Sequence, residues 1–420
     1  MMSRNDGLIA PPGARAKAPR GLARWARGMA LKHLQRVEHG ELTLVDEMGT
    51  VRCGRRDEQC DCAATLTIKD MGFYSDVVFG GSLSAAEGYV RGEWEASDLT
   101  SVIRIMARNR AVLESIEGGA ALVLAPIRWA AHWLRRNTRE GSRRNIRAHY
   151  DLGNDFFALF LDELMMYSSG YYPAAESTLD EAQRAKLELI CCKLGLGAGD
   201  HVVEIGTGWG GFAVYAAKHY GCRVTTTTIS GEQYRHACEL VKAEGVEDKV
   251  TVLQTDYRDM EGVYTKLVSI EMIEAVGHEH LEEYFRVVSE LLEPRGLALI
   301  QAIWIDDRRY EGARRHVDYI KKYIFPGSCI PSVHAMLSAA KKASDLRLVH
   351  LEDITGHYAR TIREWRERFM ARREEMRGRG YSEEFIRMWE YYFCYCEGGF
   401  CERVIGDAQL VFAKPLCKEK

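Results

Sequence analysis

Residues 201–211 read His-Val-Val-Glu-Ile-Gly-Thr-Gly-Trp-Gly-Gly, and residues 224–233 read Val-Thr-Thr-Thr-Thr-Ile-Ser-Gly-Glu-Gln. A β-branched run enters a glycine-rich turn, a helix-length segment follows, and a second β-branched run ends in hydroxyls. This is the first half of an α/β unit of the nucleotide-binding type. No Lys follows Gly211, so the turn is not a phosphate-binding P-loop. Gly206, Gly208 and Gly211 satisfy the dinucleotide spacing, but the second strand ends Thr227-Thr228-Ile229-Ser230, without the acid that would hold a ribose. Glu204 precedes the first glycine, and a nearby carboxylate favours a cationic ligand such as S-adenosylmethionine. Thr228 and Gln233 can hydrogen-bond a ribose. This stretch alone leaves S-adenosylmethionine, a dinucleotide and an ordinary strand–turn–helix corner open.

Further strands are predicted at 201–205, 223–228, 250–254, 266–270, 297–303, 346–351 and 409–413. Helical patterns lie between most of them, and this alternation predicts a mostly parallel sheet with helices on both faces. Long aromatic-bearing insertions fall at 306–343 and 361–403. Ahead of this region, residues 1–20 read as a disordered basic tail. Residues 21–115 read as a first domain with an amphipathic helix at 22–34, strand-like runs over 41–79 and a short helix at 85–91. Residues 116–147 read as an Arg-rich linker, and residues 148–420 as the second domain.

The chain has 420 residues, 46% of them hydrophobic, which is enough for two domains. A net charge of −3 excludes a globally basic, nucleic-acid-type chain, but the charge is unevenly spread. Eight basic residues and one acid lie between Arg4 and Arg36, and ten arginines against three acids between Arg104 and Arg147. Such stretches suit an anionic lipid surface or a solvated helix face. The segment 120–134 carries Trp129 and Trp133 but is interrupted by Pro126 and Arg128, so it reads as interfacial or inter-domain rather than membrane-spanning. The basic N-terminus has no apolar core after it and does not read as a signal peptide. Twelve scattered cysteines suggest reduced thiols in the cytoplasm. The group Cys394, Cys396 and Cys401 lacks paired metal-ligand spacing, and no metal is expected.

Four further groups of residues can carry chemistry. Residues 147–157 and 166–171 mix polar side chains with aromatics. Asp256-Tyr-Arg-Asp follows the third strand, where Tyr257 can stack on an adenine. Glu271 and Glu274 stand three apart after the fourth strand, at the expected rim of the site. Tyr323-Ile-Phe-Pro-Gly, Tyr358, Trp365 and residues 389–393 can wall an apolar pocket. Each group taken singly also has a plain reading as core packing or as helix-terminal acids.

As a set and in this order, His149-Tyr-Asp-Leu-Gly-Asn-Asp, Tyr167-Ser168-Ser169, Glu204-Ile-Gly-Thr-Gly-Trp-Gly-Gly, Asp256-Tyr-Arg-Asp, Glu271-Met-Ile-Glu-Ala-Val-Gly, Tyr323-Ile-Phe-Pro-Gly and Cys396-Glu-Gly-Gly-Phe resemble the cyclopropane-fatty-acid synthase family. The resemblance covers roughly residues 80–415. It implies a class I methyltransferase (Rossmann-like) α/β fold with a mostly parallel seven-stranded sheet and a smaller N-terminal lipid-engaging domain. It also implies S-adenosylmethionine as cofactor, contacted by Tyr167, Ser168, Gly206, Gly208, Thr228, Gln233 and Tyr257, with Glu204 and Asp256 beside them.

The resemblance further implies a bicarbonate ion beside the transferred carbon. It would be held by Glu274, Tyr358 and the backbone of Ile303. Two positions depart from the family: a cysteine there is Ser169 here, and a histidine there is Gln301, which cannot gain a charge. The implied reaction is methyl transfer to the cis-alkene of an unsaturated phospholipid acyl chain. A cyclopropane or a methylene- or methyl-branched chain would result. The implied setting is cytoplasmic, peripheral to the inner face of an anionic membrane, with no nucleic acid and with a homodimer compatible. Methylation of a soluble small molecule and a catalytically silent lipid-binding protein are the competing readings.

Overall fold

The computed structural model describes residues 11–13, 19–117 and 152–418. Most of the Arg-rich segment, with Trp129 and Trp133, and residues 147–151 lie outside the described residues. The first region holds a four-stranded mixed sheet of order β2-β1-β3-β4, made from β1 (Gly40–Asp46), β2 (Gly49–Arg55), β3 (Ala63–Ile68) and β4 (Trp94–Ala96). Side chains alternate along β1, so Leu42 and Leu44 point inward with Leu66 and Ile68 of β3.

The helix Arg20–Leu34 forms as expected. Residues 72–79, read from sequence as strand-like, are instead helical, and the helix predicted at 85–91 extends back to give Gly72–Val90. The Asp70 carboxylate accepts from the Gly72 N–H (2.8 Å) and its carbonyl from the Phe73 N–H (3.0 Å), so the first turn forms although Phe73, Tyr74, Val77, Val78 and Phe79 also suit a strand. The helix breaks once, at Gly81 (φ +65°).

The second sheet has seven strands: β5 (His201–Ile205), β6 (Arg223–Thr227), β7 (Val250–Leu253), β8 (Tyr264–Ile270), β9 (Leu292–Ile305), β10 (Arg347–Asp353) and β11 (Ile405–Ala413). Their order is β10-β11-β9-β8-β5-β6-β7, and β11 alone runs against its neighbours. All seven match predicted strands, although β9 begins five residues before the predicted 297. Val202 and Val203 of β5 are fully buried, as a central parallel strand requires. The strand order reverses between β5 and β8, so their carboxyl ends open one crevice.

The helix Glu383–Cys401, inside the second insertion, packs against Leu99–Arg108 and Gly72–Val90 of the first region. This explains the Cys396-Glu-Gly-Gly-Phe stretch. The buried Glu397 carboxylate accepts from Arg363 (2.9 Å), Arg366 (3.0 Å) and Thr100 (3.1 Å). A Cβ on Gly398 would stand 2.7 Å from Ile103 Cγ2, so only glycine lets the two helices meet. Phe400 stacks on Tyr358 with centroids 4.3 Å apart.

Replacing Glu397 by Ala leaves two arginines without their buried acceptor. The expected loss is about 2 kcal/mol, at the low end for a buried pair because both arginines are partly exposed. Urea unfolding of the variant against the wild type measures it.

Candidate active site

The crevice between β5 and β8 opens into a cavity of about 810 Å³. The glycine loop after β5 forms one wall. Gly206 (φ +101°) and Gly208 (φ +53°) hold left-handed backbone that a side chain would strain, and a Cβ at Gly206 would press on Met272 Cγ at 3.3 Å. Trp209 pins the loop from behind, its Nε1 donating to Asn154 Oδ1 (2.7 Å) and its ring lying on Phe157. Glu204 is buried beneath the loop, where Thr226 Oγ1 donates to its Oε2 (2.6 Å). Burial pushes its carboxyl up to about 8.

At the end of β6, Thr228 Oγ1 donates to Gln233 Oε1 (2.8 Å), which presents the pair together to the cavity. Tyr257 is packed edge-on to Tyr284, with the Arg258 guanidinium 5.6 Å from its centroid. Asp256 is bidentate to Arg258 (2.8 and 2.7 Å), so its charge is neutralised at the rim. Tyr167 donates to Tyr392 Oη (3.0 Å), and Ser168 Oγ accepts from Lys186 Nζ (2.7 Å). The residues assigned from sequence to the cofactor, Tyr167, Ser168, Glu204, Gly206, Gly208, Thr228, Gln233, Asp256 and Tyr257, all line this one cavity. A buried carboxyl with no cation paired to it among the described residues, a loop shaped by glycine and a paired hydroxyl and amide fit a cationic sulfonium nucleoside.

The second wall is a cluster of buried acids. Glu271 has a left-handed backbone (φ +50°). Its Oε1 accepts from the Ser169 N–H (2.8 Å) and Gln301 Nε2 (2.8 Å), and its Oε2 accepts from Tyr358 Oη. Gln301 also reaches Asp407 Oδ2 (3.2 Å) and accepts from Gln409 Nε2 (3.0 Å), its register partner across β9 and β11. Glu274 Oε1 accepts from the Ile303 N–H, and its Oε2 is buried with no hydrogen-bond partner among the described residues. Burial raises Glu271 and Asp407 and pushes Glu274 up to about 8. Burial likewise pushes Lys186, the buried cation facing this cluster, down to about 8.

These contacts revise the bicarbonate site that the resemblance implies. Tyr358 bonds Glu271, not an ion shared with Glu274. The Ile303 N–H is taken by Glu274, the Ser169 N–H and Gln301 Nε2 are turned onto Glu271, and Ser169 Oγ donates to the Gly170 carbonyl (3.0 Å). A free anion would find these donors already engaged, so these residues do not fit bicarbonate. Glu271, Glu274, Tyr358 and Ile303 face the cavity, whereas the fully buried Ser169 and Gln301 act from behind Glu271. Sequence reasoning missed Lys186 and Asp407. Lys186 carried a signal, a charge four residues from both Ala182 and Ile190 on the buried face of its helix.

A class I methyltransferase sheet with an S-adenosylmethionine site at its β5–β8 switch point is therefore the framework of this molecule. Residues 137–410 match the family model for mycolic acid cyclopropane synthetase, and the chain belongs to that family of S-adenosylmethionine-dependent lipid methyltransferases. It is 38% identical to the tuberculostearic acid methyltransferase of Mycobacterium tuberculosis, over 92% of this chain and 91% of the relative. It is 36% identical to the cyclopropane-fatty-acyl-phospholipid synthase of Escherichia coli, over 84% of this chain and 88% of the relative. Among solved structures, a mycolic acid cyclopropane synthase complexed with SAH and CTAB superposes with a TM-score of 0.61 at 28% identity, covering 65% of this chain and 98% of that one.

A cationic ligand favours the ionised form of Glu204. Below about 8 the free protein holds this carboxyl neutral, and binding must expel its proton. Affinity for S-adenosylmethionine is therefore expected to rise with pH through about 8. Calorimetry in buffers of different ionisation enthalpy should show proton release, and Glu204→Gln should abolish that component of it.

Proposed function

We propose that this chain transfers a methyl group from S-adenosylmethionine to the cis double bond of unsaturated phospholipid acyl chains, closing a cyclopropane ring. The observation that carries this reading is the continuity of the cavity. It runs from the glycine loop, past Glu271 and Tyr358, to an apolar end lined by Leu42, Leu44, Leu66 and Phe73 of the first region. A polar cofactor at one end and an alkyl chain at the other would meet at the carboxylate cluster.

The bound cofactor supplies an electrophilic methyl group on a cationic sulfur. An alkene is a weak nucleophile, so the walls must align it and exclude water. Tyr358, held by Glu271 on one side and stacked on Phe400 on the other, presents a fixed aromatic wall to the cation that forms in the chain. A hydride shift between the former alkene carbons before proton loss would leave a methylene branch instead of a ring. The similarity to a tuberculostearic acid methyltransferase favours keeping that branched product as the second reading.

A face for an anionic bilayer supports a membrane-borne substrate. On and beside the helix Arg20–Leu34, Leu22, Trp25 and Phe79 are exposed, Trp25 lies along Phe79 (6.3 Å), and Arg20 and Arg24 flank them. No described helix is long and apolar enough to cross a membrane. Peripheral docking at the inner face of a cytoplasmic membrane is the setting this reading needs.

Vesicles of unsaturated anionic phospholipid incubated with methyl-labelled cofactor should acquire label in the acyl chains, and mass spectrometry should separate ring from branch. Label absent from lipid while cofactor binds would overturn the reading, and activity on a soluble acceptor without vesicles would favour a small-molecule substrate. Trp25→Ala should raise the vesicle concentration needed for half-maximal rate about tenfold, the effect of losing on the order of 1.4 kcal/mol of apolar burial.

A further inference from the structure

We infer that Glu271 is the general base of this enzyme, a carboxylate built into the chain where a free anion would otherwise have to be bound. The inference rests on the lipid-methylation reading and adds to it the residue that takes the proton. Three donors from three separate parts of the chain converge on this one side chain. They are the Ser169 N–H and Gln301 Nε2 on Oε1, both at 2.8 Å, and Tyr358 Oη on Oε2. A carboxylate offers these donors the same pair of oxygens on one carbon that bicarbonate would.

The arrangement has a front and a back. Glu271 and Tyr358 line the cavity, while Ser169 and Gln301 are fully buried behind the carboxylate. Ser169 and Gln301 are therefore positioning residues, and Glu271 is the group that meets the chain. Its backbone is in the left-handed region (φ +50°), where glycine would be easier, so the side chain is held against the preference of its own main chain. The Ile303 N–H beside this carboxylate is likewise engaged, by Glu274 Oε1.

The step balances without another reactant. The alkene π pair forms the new carbon–carbon bond as the carbon–sulfur bond breaks, and its electrons remain on sulfur in neutral S-adenosylhomocysteine. The other alkene carbon becomes cationic. Glu271 takes one proton from the carbon just transferred, and the freed C–H pair closes the ring. Glu271 is left protonated and returns the proton to solvent when product leaves.

The test uses the full chain and the variants Glu271→Gly and Glu271→Gln. Binding of ¹³C-bicarbonate, followed by NMR without lipid, should be absent in the wild type and present in Glu271→Gly, where the three donors are released. With dissolved carbon dioxide stripped, wild-type turnover should be unchanged. Glu271→Gly should fall about 10²- to 10⁴-fold, the usual contribution of a general base, and recover on adding bicarbonate. Glu271→Gln should fall similarly without rescue, because its amide still fills the site. Unchanged affinity for S-adenosylhomocysteine reports that each variant is folded. The inference is overturned if the wild type binds bicarbonate or slows when it is stripped, or if Glu271→Gly keeps full turnover without it. Should the wild type methylate no lipid, the substrate reading fails alone, and the binding measurement still judges Glu271.

Discussion

One buried carboxylate organises the reactive end of this molecule. Glu271 is reached by a loop through the Ser169 N–H, by β9 through Gln301 and by the helix Thr355–Ala371 through Tyr358. An ionised group away from water is tolerable only when donors surround it. Satisfying Glu271 therefore fixes where those three elements stand. Gln301 is in turn held by Gln409, which accepts from Lys193, so the constraint continues across two strands to the outer face of the sheet.

The second dependence is mechanical. The cavity takes its polar end from the seven-stranded sheet and its apolar end from the first region, so its length requires the two to be locked together. The helix Glu383–Cys401 does this. Glu397 is bonded to both sides, Gly398 admits the Leu99–Arg108 helix, and Arg387 donates to the carbonyls of Tyr89 (2.6 Å) and Trp94 (2.9 Å). The same helix sends Tyr392 to Tyr167 at the cofactor end and Phe400 to Tyr358 at the carboxylate. Binding of the cofactor and containment of the chain are thus coupled through one element.

The strands of the large sheet were legible because each is a short β-branched run bounded by turns. The mostly parallel sheet followed from their alternation with helices, whereas the strand order came only from the fold. The cofactor wall was legible for a related reason. Gly206, Gly208, Thr228, Gln233 and Tyr257 all lie directly after strands, where the topology exposes loops on one side. The helix over Gly72–Val90 was not, since the aromatics and the valine pair of its first half suit a strand equally well and no side-chain cap marks its start.

By itself, the sequence determined the α/β class, the cofactor loop and the family, because these depend on local patterns and on motifs kept in a fixed order. It also set Ser169 and Gln301 apart from the family's usual residues. Only the tertiary structure showed that the Gln301 amide donates to Glu271. Ser169 instead reaches Glu271 through its backbone N–H, which a cysteine would supply equally, and turns its hydroxyl to the Gly170 carbonyl. Ser169, Glu271, Gln301 and Tyr358 are spread over nearly two hundred residues, and the sharing of one carboxylate among three donors is a fact about distance in space. The spacing of Glu271 and Glu274 in the chain showed two acids at a rim. Folding separated their roles, one carboxylate enclosed by donors at the cavity wall and the other bonded to the Ile303 N–H with an oxygen left bare.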